Sequence, residues 1–254
     1  MRKSIIILII VAIKTNASVL TDNMNMTLLE NTVFPLKMFN DSSSYFTFSI
    51  SPNKLGVNEL DVISFGSTVF KNSKHLSYLY LESNQSNVFK RYTIESRYIF
   101  KYDEKLFLGI SPNIDYFRIQ NLFNKLHLNL KVSCLYKLDK DLQFAFEFRD
   151  ILKDRTSNDQ NENLELNLAI SKRLNKKIAF ELGSLIQIEQ NNSLRLSILY
   201  RIVEDLSLRL NWQNNPQSIS LDLNLNLGYF NTISSLSFNS NLGLSHRYFG
   251  EMRY

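Results

Sequence analysis

Three kinds of side chain in this sequence have the chemistry to form a site: three histidines, one cysteine, and opposite charges placed among apolar residues. His75, His127 and His246 supply the imidazoles that a general base or a metal site needs, but they lie in separate segments of the chain. No Gly-x-Ser-x-Gly, His-Glu-x-x-His or glycine-rich phosphate loop accompanies them. Cys134 is the sole cysteine and falls in an apolar row, where it reads as a small hydrophobe outside any disulfide framework. These observations predict a non-enzymatic chain with no catalytic residues, no metal and no cofactor. The charges are more informative. Folding neighbouring segments about their turns sets Glu181 opposite Arg201 and Arg209 opposite Asp222, each pair on a polar face. Opposite charges facing one another across strands contribute about 0.2–1 kcal/mol. Two roles are open to such pairs: bracing a polar wall, or forming a constriction that selects solutes.

Walls able to hold these charges are written as a period of two. Leu164, Leu166, Leu168 and Ile170 alternate with polar residues. So do Leu206, Leu208, Leu210 and Trp212, and Ile219, Leu221, Leu223, Leu225 and Leu227. A period of two makes a strand with one apolar and one polar face. The pattern predicts a first strand over Tyr45–Ser51 and thirteen more. These cover Glu59–Phe70, His75–Glu82, Val88–Phe100, Leu106–Arg118, Leu126–Lys137, Leu142–Arg149, Leu164–Leu174, Ile178–Ile188, Ser193–Ile202, Leu206–Gln213, Ser218–Gly228, Thr232–Asn239 and Leu244–Tyr254. Most have the length of a tilted membrane-spanning strand, about 9–11 residues. The connections are short and rich in Asn, Asp, Lys and Ser, as hairpin turns are. Pro112 is expected in a bulge and Pro216 in a turn, where a missing N–H does least harm.

The segments predict an all-β fold: a closed, transmembrane, antiparallel barrel of about fourteen strands in an up-and-down meander. In hydrocarbon every backbone N–H and C=O must be paired, so a sheet spans the membrane only by closing on itself. An even strand number places both termini on the periplasmic side. The turns Asn175–Lys177, Val203–Asp205 and Tyr229–Asn231 then fall on that side, and the long polar loop Leu152–Asn163 falls outside. Tyr200, Trp212, Tyr229, Tyr248 and Tyr254 are expected near strand ends, in aromatic girdles. Tyr248, Gly250, Met252 and Tyr254 share one face of the last segment, like the aromatic C-terminal signal of outer-membrane barrels. Glu59–Phe70 and Leu106–Arg118 alternate poorly. A secreted soluble β-sandwich with a structural or adhesive role would also alternate.

Residues 1–17 have the layout of a secretory signal peptide: Arg2 and Lys3, an apolar run from Ile5 to Ile13, then Thr15-Asn16-Ala17. Removing them takes away Arg2, Lys3 and Lys14 and no acid, lowering the formal charge from +5 to +2. Scattered cations at so small a net charge give no footprint for nucleic acid. Residues 18–44 read as an N-terminal segment, periplasmic or lumenal, and 45–254 as the barrel.

The run from Asn163 to Leu182 and that from Ser193 to Leu210, with Asn215-Pro216-Gln217-Ser218-Ile219-Ser220 and Leu242-Gly243-Leu244-Ser245-His246, resemble the PorV/PorQ-type outer-membrane barrels of the Bacteroidetes–Chlorobi group. Those are relatives of FadL-type long-chain fatty-acid channels. Ser51-Pro52-Asn53-Lys54-Leu55 is similar to the family's Asn-Pro-Ala-x-x-Leu element. The resemblance spans roughly 45–254. It implies a fourteen-stranded barrel in the outer membrane with outer-membrane lipid as its surroundings. It also implies one of two roles: a channel for hydrophobic or small solutes, or a subunit of a secretion or assembly complex.

Overall fold

In a computed structural model, residues 44–52, 61–121, 123–149, 164–187, 192–240 and 243–254 are described. The expected signal peptide, nearly all of the N-terminal segment and the Leu152–Asn163 loop lie outside these residues. Fourteen strands follow one another: β1 Tyr45–Ser51, β2 Asp61–Lys71, β3 His75–Gln85, β4 Phe89–Lys101, β5 Leu106–Ile119, β6 Phe123–Lys137 and β7 Leu142–Arg149 form the first half. The second half comprises β8 Glu165–Arg173, β9 Ile178–Gln187, β10 Ser193–Val203, β11 Leu206–Asn214, β12 Gln217–Leu227, β13 Phe230–Asn239 and β14 Gly243–Arg253. Each pairs antiparallel with its neighbours in sequence, and β1 pairs with β14 to close the barrel. The closing seam runs from Tyr45 opposite Arg253 to Ile50 opposite Tyr248, and Ser44 and Tyr254 exchange both backbone hydrogen bonds at 3.0 Å. The sheet closes on itself without a free edge, as a sheet in hydrocarbon requires.

Polarity decides between barrel and sandwich. Among the described residues the buried side chains are 23 polar or charged against 11 apolar, while Ile, Leu, Val, Phe and Tyr recur along the exposed rows. A soluble sandwich buries its apolar rows; this molecule turns them outward. Leu126, Leu128, Val132 and Tyr136 of β6 face out with Cys134, and Asn129 and Ser133 face in. The two segments that alternate poorly do so for a visible reason. In β5, Phe107 and Phe117 face the lumen while Arg118 faces out. In β2, Val62 faces in, and an extra residue at Val69 shifts the register between Thr68 and Phe70. A second irregularity lies at Ile202, between Arg201 and Val203. Pro112 corrects the expectation of a bulge: it holds register with Leu130, and β4 and β5 keep one register on either side of it. Its missing N–H interrupts the ladder beside Ser96 and Arg97 without an inserted residue.

Two turns at the end bearing the termini are tighter than expected, while the Asn175–Lys177 turn gains Leu174. Val203 belongs to β10 and Phe230 and Asn231 to β13, leaving Glu204-Asp205 and Gly228-Tyr229 as two-residue turns. Gly228 takes φ 76°, the left-handed region that glycine enters freely. Four other turns at this end share one device, an Asx side chain accepting from two backbone N–H groups ahead of it. Asn72 Oδ1 accepts from Lys74 and His75 at 2.8 and 2.7 Å. Asp103 Oδ1 accepts from Lys105 and Leu106, each at 2.7 Å. Asp139 Oδ1 accepts from Asp141 and Leu142 at 2.7 and 2.8 Å. Asn175 Oδ1 accepts from Lys177 and Ile178 at 2.8 and 2.9 Å. The two hydrogen bonds from Asp141 and Leu142 hold the Asp139 carboxyl below its ordinary value.

Near the seam two glycines make sockets. The Tyr78 ring lies over Gly66 inside the barrel, where its hydroxyl bonds Thr47. Outside, Phe48 covers Gly250 and stacks on Phe230, ring centroids 6.3 Å apart. A Cβ at either glycine would occupy the space of the aromatic ring.

Candidate functional site: the barrel lumen

Alternation sends every second residue of each strand into the lumen, and the inward rows carry the charges. Arg209 stands opposite Asp222, with Nη1 3.6 Å from Oδ2. Asp222 also accepts from Asn211 Nδ2 at 3.0 Å and Ser235 Oγ at 2.6 Å, and Ser197 Oγ donates to Asn211 Oδ1 at 2.7 Å. These contacts form one network across β10, β11, β12 and β13. The second expected pair is corrected. Glu181 stands opposite Ser197 and Ser171, and Arg201 opposite Ser207, so Glu181 and Arg201 do not meet. Strand β9 begins at Ile178 opposite Tyr200, which sets Arg201 at the mouth, four residues along β10 from the partner of Glu181.

Denser charge clusters lie in the other half of the barrel. Glu95 is 2% exposed; it accepts from Arg97 Nε at 2.6 Å and Lys131 Nζ at 2.7 Å. Arg97 also lies over the Tyr80 ring, 5.3 Å from its centroid. Asp115 takes Arg91 Nε at 3.1 Å and the Thr93 hydroxyl. Glu147 takes Arg149, whose Nη1 is 3.9 Å from Glu165. Sequence reasoning missed these clusters because most link residues two apart on one strand or on strands two apart, where hairpin folding gives no directly opposed pair.

Toward the end bearing the termini, the lumen wall turns apolar over one sector. Tyr45, Leu76, Tyr78, Ile99, Phe107 and Leu135 point inward and pack as one buried cluster. The direct ladder Phe107–Leu135–Ala145–Ala169 continues it across β5 to β8. Basic residues edge this sector. Six of the seven strands running to this end carry an inward Lys or Arg at or within two residues of their last residue: Lys71, Lys101, Lys137, Arg173, Arg201 and Arg253. Lys137 Nζ lies 4.7 Å from the Phe107 ring centroid; Lys71 and Arg253 each lie 5.8 Å from that of Tyr45. The signal was legible, one basic residue before five of the six turns at this end, but it shows only once the inward face is known.

The histidines do not converge. His75 faces out on β3 and bonds the Tyr98 hydroxyl at 2.5 Å, while His246 faces out on β14. His127 faces the lumen on β6, opposite Asp115. Of the expected girdle, Tyr200 and Trp212 sit near strand ends and Tyr229 in a turn, whereas Tyr248 falls mid-strand in β14.

The arrangement is a closed barrel with lipid-facing apolar rows and a charged lumen. Solved structures share it. The toluene transporter TbuX of Ralstonia pickettii aligns with TM-score 0.64 at 8% identity, over 84% of this chain and 90% of that one. The toluene transporter TodX of Pseudomonas putida aligns with TM-score 0.60 at 8% identity, over 92% and 95%. The fold is that of an outer-membrane barrel. No family model and no curated protein matches the sequence. At these identities the likeness is one of fold.

Proposed function

We propose that the chain is an outer-membrane channel of the PorV/FadL-like kind, carrying small hydrophobic solutes that bear a negative charge. The observation that carries this reading is the apolar lumen sector edged by cations, with Lys137 over Phe107 and Lys71 and Arg253 over Tyr45. Leu76, Ile99, Phe107 and Leu135 pack against one another, so an apolar body leaves water there by parting that cluster and taking its place among them. A carboxylate or similar head meets the basic mouth. The barrel transporters of toluene supply precedent for hydrophobic cargo in this fold. Uptake into proteoliposomes tests the proposal, using a medium-chain carboxylate and its methyl ester as probes. The carboxylate is expected to enter faster than the ester, and well above empty liposomes. Flux no greater than in empty liposomes overturns the channel and favours the other reading, a barrel subunit of a secretion or assembly complex, which would instead co-purify with its partners.

A further inference from the structure

On the outward face of β4 and β5, three directly opposed pairs succeed one another toward the end away from the termini. Ile94 stands opposite Ile114, Tyr92 opposite Tyr116, and Lys90 opposite Arg118. Two residues of strand advance about 7 Å, so the sequence of layers is apolar, aromatic, cationic. The tyrosine rings stack with centroids 6.3 Å apart, as a girdle pair does at the headgroup level. The cations lie one step beyond, on the side of an aromatic girdle where lipid headgroups follow.

Like charges directly opposed across strands destabilise a sheet. Among the described residues neither Lys90 nor Arg118 has an ion pair, and their flanking partners in the same row, Gln85 and Asn124, are uncharged. Asp61 is the acid on that row, opposite Gln85 and one strand removed from Lys90. Between the β3–β4 and β5–β6 turns the two cations, with Asn87, Val88 and Gln120, line a hollow of about 200 Å³. The hollow therefore joins two uncompensated cations, amide donors and a lipid-facing position.

We infer that this hollow binds a phosphate of a phosphorylated glycolipid in the outer leaflet, of the lipid A class. Arg118 presents a planar fork matched to phosphate oxygens, and Lys90 adds a point charge beside it. Tyr92 and Tyr116 lie against the sugar–acyl boundary below. The site is independent of what passes through the lumen.

The test uses the full chain in neutral detergent micelles, with diphosphoryl lipid A and its dephosphorylated form as probes. At roughly five-fold per basic residue at a lipid surface, Lys90→Gln with Arg118→Gln is expected to weaken diphosphoryl binding about thirty-fold. Binding of the dephosphorylated form should not change. Both side chains are exposed, so the double variant is expected to retain the heat-modifiable gel migration of the folded barrel. Equal binding of the two probes, or a double variant that keeps the phosphate preference, overturns the inference. Displacement of bound lipid A by inorganic phosphate at equal concentration overturns it too, since the hollow would then be a site for free anions.

Discussion

At the scale of single residues, the lumen separates two kinds of ion pair. Glu95 is held by Arg97 and Lys131 with its side chain 3% exposed and that of Arg97 9%. Removing the acid leaves two cations aimed at one another in a confined space. Loss of one partner from a buried pair costs about 3–5 kcal/mol, because the remaining charge is stranded. Lys101 with Glu104 is the opposite case, Nζ 2.7 Å from an oxygen whose side chain is 89% exposed. Such a pair contributes about 0–1 kcal/mol. Glu95→Ala is therefore expected to lower the unfolding free energy in micelles by about 3 kcal/mol, and Glu104→Ala by under about 1 kcal/mol. Urea titration followed by circular dichroism reads both. Equal losses would show that the lumen around Glu95 is as wet as the rim.

At the scale of elements, hairpins are the repeating unit, and their turns explain what was legible in the sequence. The period of two gave all fourteen strands, with ends within three residues of those observed, because one face must meet lipid and the other polar side chains. Arg209 and Asp222 were legible because a single short turn fixes their register. Glu181 with Arg201 was misread because β10 starts its pairing with Ser193 opposite Leu185, not beside Ile188, which slides Glu181 four residues along β10 to Ser197. Glu95 with Lys131 was invisible, since β5 lies between their strands and only barrel curvature and long side chains bring them together. The Asx turns give a prediction of their own. The Asp139 carboxyl is exposed and sits below its ordinary value because backbone N–H groups favour its charged form. A depressed folded value means that the stabilisation is fully present above the unfolded value, about 3.9. It is lost as pH falls through the folded one. Asp139→Asn should keep both hydrogen bonds and remove that acid dependence, leaving unfolding midpoints unchanged at pH 7 and higher than those of the parent in acid. A parent and variant that lose stability in parallel would assign the acid sensitivity to other carboxylates.

At the scale of the whole molecule, the mouth at the end bearing the termini is a charged ring built by repetition. Because β2, β4, β6, β8, β10 and β14 each bring a Lys or Arg inward near their ends, cations recur around the perimeter at intervals of two strands, except at β12, where Asn226 takes the place. Some members are neutralised locally, as Lys101 is by Glu104. Yet charges confined by low-dielectric walls act together on whatever enters, focusing the field along the axis. Rings of Lys and Arg are the side-chain basis of anion preference in pores. A bilayer separating unequal KCl solutions should therefore give a reversal potential of the sign for chloride preference. Neutralising Lys137, Arg173 and Arg201 to Gln should move it toward zero. Screening supplies the internal control: the Debye length shrinks from about 10 Å at 0.1 M salt to about 3 Å at 1 M, so the preference must weaken as salt rises in the parent barrel. A potassium preference, or a chloride preference untouched by the triple substitution and by salt, would place selectivity elsewhere in the lumen and remove the ring from the permeation path.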